Sequence, residues 1–289
     1  MARQFRRTGF WLRELVFIAD YFVDAVAGGG ELNNEEFIKI VKRNHAIKKI
    51  NSHFVTLNFL EQNNKSFFII ANFLNLKQDL RDYISDKMDY VIYEHDHKYI
   101  ANRNPAEFKD FTAPKEMIIN YDFYQKAKAI FCQSEFHSDI VKINLNLENV
   151  VNLSGNIWSN NSLDLMEKLS HKEKKNRCSI MNSEISHKNT KEAILFCKYK
   201  NLEYELIQPS PYDLFLDKLS NNDKLIFFPK TPETLSRIVV EARMMGMTTI
   251  TNKIIGAVSE KWFSLKGKEL IDHMREKREI IAKTVLNSI

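Results

Sequence analysis

The sequence predicts an α/β protein in two halves, each built on a doubly wound parallel sheet. Three observations predict it. Short apolar runs alternate with stretches of helical period along the whole chain. A polar, turn-rich segment at residues 154–162 interrupts that alternation once, near the middle. Residues 223–252 read as strand, loop, helix and strand, with polar groups gathered at the first strand's carboxyl end. That edge is where open α/β sheets bind ligands.

The elements follow in order. Residues 16–20 form a first strand, and Gly28-Gly29-Gly30 leads from it to a helix over 33–44. A strand, a glycine turn and a helix bring backbone amides close to an anion at the helix N-terminus. The Gly-x-Gly-x-x-Gly pattern is missing, so Gly29 and Gly30 make an anion-loop candidate without a dinucleotide fingerprint. Strands are expected at 53–59 and 67–73, separated by the turn Gln62-Asn63-Asn64-Lys65, then a helix over 76–87. Tyr90-Val91-Ile92-Tyr93 is a short apolar strand that runs into Glu94-His95-Asp96-His97-Lys98.

That polar cluster admits three readings. Histidine and carboxylate are metal ligands, although no third partner stands at a familiar spacing. Strand alternation would put His95 and His97 on one side, facing a cleft, with Glu94 and Asp96 on the other. The plain alternative is a polar loop with satisfied histidines. Asn102-Arg103-Asn104-Pro105 follows as an ordered loop able to bring Arg103 to the same cleft. A helix over 117–128, a strand over 129–132, a helix over 135–144 and a strand over 150–153 complete the first half.

Past the boundary, the charged run 171–177 enters a strand at 178–181, and a helix spans 190–200. A strand at 204–207 and a helix at 212–219 precede the apolar run Leu225-Ile226-Phe227-Phe228. A helix is expected to start there, capped by Thr231, with Pro232 in its first turn and Glu233 at its positive end. Leu235, Ile238, Val239, Ala242 and Met245 give it one apolar face, and Gly246 ends it. A strand at 248–252 follows. The tail from 267 is a charged helix whose apolar face carries Leu270, Ile271, Met274, Ile280, Ile281 and Val285. The domain bounds that result are 1–160, 161–265 and a final helix over 266–289.

On one helix Glu233 and Glu241 would lie roughly 80° apart in azimuth and about 12 Å apart along the axis. That is too far for a shared proton and suits two parts of one long ligand. Both could equally be solvated helix glutamates. Glu, seven residues, Glu, then a helix-ending glycine resembles the donor-site signature of retaining nucleotide-sugar glycosyltransferases with the GT-B fold. The resemblance implies two Rossmann-like domains facing across a cleft, the last segment packing back on the first. It implies Glu233 beside the donor sugar and Glu241 on the nucleotide ribose. It also implies a diphosphate held by a lysine and an arginine in the second domain's first turn. Lys188 fits the lysine; the arginine position falls on Asn182 or Ser183, so Arg237 or Arg177 would have to supply that charge. A histidine of the first domain, His95 or His97, would meet the sugar. Thr231, Gly29 and Gly30 would belong to the donor site, and Asp96 and Arg103 to the acceptor cleft. Such enzymes need no metal or other cofactor.

With 289 residues, 44% of them hydrophobic and 27% charged, the chain can build two soluble cores. Three scattered cysteines form no metal or redox motif and point to a reducing, cytoplasmic setting. Acidic residues interrupt the apolar N-terminus, which argues against a signal peptide, and no apolar run is long enough to span a membrane. A net charge of +5, with basic clusters at Arg3-Arg6-Arg7, Lys42-Arg43, Lys48-Lys49 and Lys172–Arg177, permits a polyanionic partner without requiring one. The sequence does not name the acceptor: a glycan is one candidate, and a hydroxymethylated base in DNA is another that the basic clusters allow without selecting. Two other classes stay open. An epimerase of the same fold would isomerise the sugar nucleotide without acceptor, and a non-catalytic module would bind nucleotide or nucleic acid with no turnover.

Overall fold

Leu15–Ala19 (β1) is buried at every position, the mark of a strand covered on both faces. The computed structural model describes residues 13–26 and 28–289; the cluster Arg3-Arg6-Arg7 lies outside them. A six-stranded sheet forms around β1, all parallel, in the order β2-β1-β3-β4-β5-β6. Its members are Ile47–Asn51 (β2), Phe67–Ile70 (β3), Asp89–Tyr93 (β4), Ile130–Cys132 (β5) and Val150–Asn152 (β6). The connecting helices are Gly29–Val41 (α1), Leu57–Gln62 (α2), Gln78–Lys87 (α3), Tyr121–Gln125 (α4) and Glu135–Leu145 (α5). Val16 and Ile18 join one core, while Leu15, Phe17 and Ala19 join the core on the opposite face.

The second sheet has four parallel strands in the order β10-β9-β7-β8. They are Lys175–Met181 (β7), Tyr204–Ile207 (β8), Asn222–Phe227 (β9) and Thr248–Thr251 (β10). Asn160–Ser170 (α6), Thr190–Tyr199 (α7), Tyr212–Leu219 (α8) and Arg237–Met244 (α9) accompany them. In each sheet the chain steps outward once and then crosses back past its starting strand. The order therefore reverses between β1 and β3 and again between β7 and β9. Crevices at such reversals, beyond the strands' carboxyl ends, are where doubly wound sheets bind ligands.

Lys268–Leu286 (α10) runs across both halves. Leu270, Ile271 and Met274 pack in the second core, and Ile281, Ala282 and Val285 in the first. Arg278 Nη1 meets Glu36 of α1 at 3.3 Å, both largely buried. Ile280, expected on the apolar face, is 51% exposed. No helix among the described residues is long and apolar enough to cross a membrane.

Four expectations need correcting. The strand expected at 53–59 is a 3-10 turn and α2, because Thr56 caps a helix by accepting from Phe59 N at 3.1 Å. The strand is β2, whose adjacent Lys48 and Lys49 belong to a sheet edge. The helix expected over 117–128 shrinks to α4, since Ile118 bridges Ile100 and Asn120 takes a left-handed conformation. Part of the expected turn region is α6, capped by Ser159 and buried through Leu163, Met166 and Leu169. Most important, α9 begins at Arg237, not at Thr231. Residues 233–235 bond instead to 254–257: Glu233 N to Ile254 O, Gly256 N to Glu233 O and Ala257 N to Leu235 O, at 2.8–3.0 Å. A Cβ at Gly256 would collide with the Thr234 carbonyl, so glycine is what lets the two backbones meet. Ser236 then turns through a left-handed φ of 74° into the helix. Tertiary hydrogen bonds win over the local cap signal.

Candidate functional site

The loops beyond β1, β4, β7 and β9 converge on two neighbouring cavities of about 400 and 330 Å³. His95, Lys188, Glu233 and Thr234 line both, so the cavities meet at these four residues.

The larger cavity is built on helix ends. α1 starts at Gly29 without a side-chain cap, and Gly29 and Gly30 line the wall. α9 likewise has no side-chain cap; Ser236 and Arg237 open its N-terminus to the cavity. Uncapped amides at two helix starts favour negative charge there. The Ser236 Oγ and the Asn156 Oδ1 are buried and carry no hydrogen bond, and the Arg237 Nε has only an ion-pair contact with Glu241. Buried polar atoms are rarely left unpaired, and two along one cavity wall mark a place for a polar ligand.

Arg237 and Glu241 are one turn apart on α9, and Arg237 Nε approaches Glu241 Oε1 to 3.4 Å, with Glu241 buried and Arg237 nearly so. Trp158, in the connection between the sheets, donates its indole N–H to Glu241 Oε1 at 2.9 Å, and the Tyr212 hydroxyl donates to the same oxygen at 2.6 Å. No hydrogen bond among the described residues falls on Oε2. Burial and the neighbouring Glu241 push the Tyr212 phenol well up, so it remains a donor. Arg237 lies over the Trp158 ring, 4.4 Å from its centre, and donates to the Ile157 carbonyl at 3.0 Å. Met181, Phe215 and Ile238 supply the apolar part of the lining.

Glu233 is in the extended segment before α9, so the two glutamates do not share a helix. Lys188 closes a 3-10 turn after β7, which Asn189 pins by donating to Phe228 O at 2.9 Å. Its ammonium reaches Glu233 Oε1 at 2.7 Å. Thr231 lines the smaller cavity.

His95 lines both cavities, but its ring nitrogens are engaged. Nε2 stands 2.6 Å from Asn34 Oδ1, and Nδ1 meets Gln133 Nε2. With Gln133 donating, Nε2 carries the proton. Burial, together with Lys98, His137 and Arg237, holds the His95 pKa well below its ordinary value. His97 does not share the cleft with it. It is buried behind the loop, its Nδ1 2.8 Å from the Tyr99 hydroxyl and its ring edge-on to His137. Residues 94–98 are not a strand, so alternation does not apply to them. Buried Glu94 folds the loop instead: Oε1 accepts the His95 and Asp96 amides at 3.1 and 2.9 Å and pairs with Lys98, while Oε2 accepts from Tyr124. His137 braces it from α5, accepting from Gln133 N and donating to Asp96 O at 3.1 Å. Burial drives the His137 pKa down to about 3.

Asp96 and Arg103 pair at 3.0 Å on the wall of the smaller cavity, with Asn102 and His187 beside them. Of the expected residues, Gly29, Gly30, His95, Lys188, Glu233, Arg237 and Glu241 line the larger cavity, and Thr231, Asp96 and Arg103 the smaller. Arg177 instead pairs with Glu203 and lines neither. Trp158, Tyr212, Asn156 and Gln133 were not anticipated. Trp158 in a polar connection was the one available signal, since a lone buried indole needs a partner for its N–H.

The arrangement can hold an anionic, extended ligand along two helix N-termini, with cations at one end and a carboxylate at the other. No protein family and no curated protein matches the chain. Solved structures do. Anabaena HepE in complex with UDP and glucose superposes with a TM-score of 0.53 at 12% identity, over 96% of this chain and 94% of that one. WaaG, a glycosyltransferase involved in lipopolysaccharide biosynthesis, gives 0.54 at 11%, over 95% and 93%. A UDP-forming α,α-trehalose-phosphate synthase from Burkholderia xenovorans gives 0.54 at 7%, over 96% and 95%. At such identities the likeness establishes the architecture, which is the two-domain GT-B fold.

Proposed function

We propose that the chain is a glycosyltransferase that moves a sugar from a nucleotide diphosphate to an acceptor with retention of anomeric configuration. One observation carries this reading. Two helix N-termini without side-chain caps, Lys188, Arg237 and two unpartnered buried polar atoms converge on one cavity. The fold's likeness to structures holding UDP and UDP-glucose supports a nucleotide sugar as the donor.

In this reading the diphosphate lies against the α1 and α9 N-termini. Lys188 and Arg237 offset the charge that builds on it as the bond to the sugar breaks. Arg237 takes the place of the arginine missing at Asn182 and Ser183, and its stacking on Trp158 holds it ready. Glu241 bonds the ribose through Oε2, while Trp158 and Tyr212 keep its carboxylate fixed through Oε1. The sugar sits where the cavities meet, against Glu233, Thr234 and His95. His95, neutral and bonded through both nitrogens, presents its ring to the sugar and needs no charge. The acceptor enters by the smaller cavity. Paired Asp96 and Arg103 offer both acceptors and donors there, which suits a polyhydroxylated glycan. The electron pair of the broken C1–O bond leaves with the diphosphate, and the acceptor oxygen forms the new bond. With retention, acceptor and leaving group share one face, so the departing oxygen can take the acceptor's proton. Protein cations and helix ends do the work that a metal would otherwise do, so we expect no metal requirement. Three buried free thiols suit a reducing compartment.

A thermal-shift panel of nucleoside diphosphates and their sugar derivatives, run in EDTA, tests this reading. A ligand at a hundred times its dissociation constant adds about 2.7 kcal/mol of stability. Glu241→Gln should weaken the effect by about ten- to a hundredfold in affinity, the loss of a charged hydrogen bond. No shift with any member of the panel would remove the donor site.

A further inference from the structure

The second sheet is unequally covered. On one face α6, α8, α9 and α10 bury Ile207, Leu225 and Phe227 in a broad core. On the other, α7 is the one helix packed over Cys178, Ile180 and Ile226 among the described residues. Ile194, Phe196, Phe228 and Ile250 on that face are only partly buried. Water still reaches a row of large apolar side chains between α7 and the β10 edge.

The outer surface of α7 is apolar as well. Tyr199 is 80% exposed and Leu195 59%, and Ile185, in the loop just before the helix, 53%. On a helix, positions 191, 195, 198 and 199 fall within roughly 100° of arc, with Lys191 and Lys198 side by side along one edge of the Leu195–Tyr199 strip. Lys200 follows, its ammonium 5.1 Å over the Tyr199 ring. The nearby cations Arg177, Lys188 and Lys224 are paired with Glu203, Glu233 and Asp223. Lys191, Lys198 and Lys200 enter no ion pair among the described residues. Glu184 and Glu192 are the acids of this segment, so the stripe keeps a positive excess.

We infer that the α7 face docks on a bilayer surface carrying anionic headgroups. Charge decides among the occupants. A second copy meeting this face two-fold would set lysines against lysines on a chain already at +5. A nucleic acid would use the lysines but leave Leu195 and Ile185 in water, because aliphatic side chains give bases no stacking surface. An anionic bilayer uses every feature. Leucine and isoleucine enter the acyl boundary, tyrosine sits at headgroup level, and the lysine stems lie along the apolar surface with their ammoniums on phosphate. The loop carrying Lys188 leads straight into α7, so docking holds the cleft beside the headgroups.

The test is vesicle flotation with the full chain, on phosphatidylcholine alone and on phosphatidylcholine mixed with phosphatidylglycerol. Two variants alter only outward-facing residues: Leu195→Ser with Tyr199→Ser, and Lys191→Gln with Lys198→Gln and Lys200→Gln. The wild type should float with the mixed vesicles, less so as salt rises. The lysine variant should lose about a hundredfold in partitioning, roughly fivefold per residue, and arginine at the same three positions should restore it. The Leu195/Tyr199 variant should weaken binding at every salt concentration, with the melting temperature unchanged in all variants. Wild-type protein that ignores mixed vesicles would overturn the proposal, as would flotation equal in all variants. Vesicle-independent dimers broken by the Leu195/Tyr199 variant would overturn it in favour of a second copy. Duplex DNA binding lost with the lysines, without flotation, would overturn it in favour of nucleic acid.

Discussion

Lys188 Nζ donates to Glu233 Oε1 at 2.7 Å, joining the turn after β7 to the segment before α9 where the two cavities meet. The proposed diphosphate cation and the proposed sugar-binding carboxylate therefore neutralise each other before any ligand arrives. A nucleotide must compete with Glu233 for that ammonium. Glu233→Gln should leave nucleoside diphosphate affinity unchanged or raise it by up to about tenfold, whereas Lys188→Met should lower it about ten- to a hundredfold. Calorimetric titration of both variants checks this. Equal losses in the two would mean that Glu233 positions Lys188 and does not compete for it.

Gly29 and Gly30 make a paired test of Arg237. A Cβ at Gly29 would come within 3.0 Å of Arg237 Cδ, while one at Gly30 would make ordinary 3.6 Å contact with His95. Neither glycine needs a positive φ. Alanine at the start of a helix should therefore hold or slightly raise stability in both variants. Gly29→Ala should push Arg237 from the cavity and lower diphosphate affinity severalfold; Gly30→Ala should not. Melting curves and titrations together decide it, and identical affinities would detach Arg237 from the ligand.

Much of this was legible in the chain. Leu225–Phe228 announces a buried strand and residues 212–219 a helix because local pattern and tertiary packing agree there. The start of α9 was not legible, because Thr231 and Pro232 are a sound local cap that loses to the 254–257 backbone, a partner 21–23 residues away. His97 was misplaced because strand alternation was extended into a loop that Glu94 folds through the His95 and Asp96 amides. Trp158 and Tyr212 were missed for a related reason. Their hydrogen bonds to Glu241 cross 83 and 29 residues, so local sequence names the partner of neither.

The buried histidines should make the fold acid-sensitive. His97 and His137 are almost wholly buried and neutral, with pKa values held far below the ordinary histidine value, about 3 for His137. In the unfolded chain both take up protons below about pH 6.5. The unfolded state then binds more protons, so stability is full above that pH and falls as acid is added. The two together give a slope approaching about 2.7 kcal/mol per pH unit well below pH 6.5. Urea midpoints at pH 7.5, 6 and 5 should decline in that order. A midpoint at pH 5 equal to that at pH 7.5 would show that both histidines are already charged in the fold.

Glu233 is the residue on which catalysis at this cleft depends most directly. The measurement is release of nucleoside diphosphate from a nucleotide sugar, made for the wild type and Glu233→Ala beside diphosphate affinity for both. The wild type should turn over and Glu233→Ala should lose about a hundredfold or more, the scale for removing one group that stabilises a transition state. Diphosphate affinity should change by less than about tenfold, because Lys188, Arg237 and Glu241 remain. A wild type that neither binds diphosphate nor turns over any nucleotide sugar would rule out a glycosyltransferase site here, and a Glu233→Ala variant as fast as the wild type would remove Glu233 from the catalytic centre.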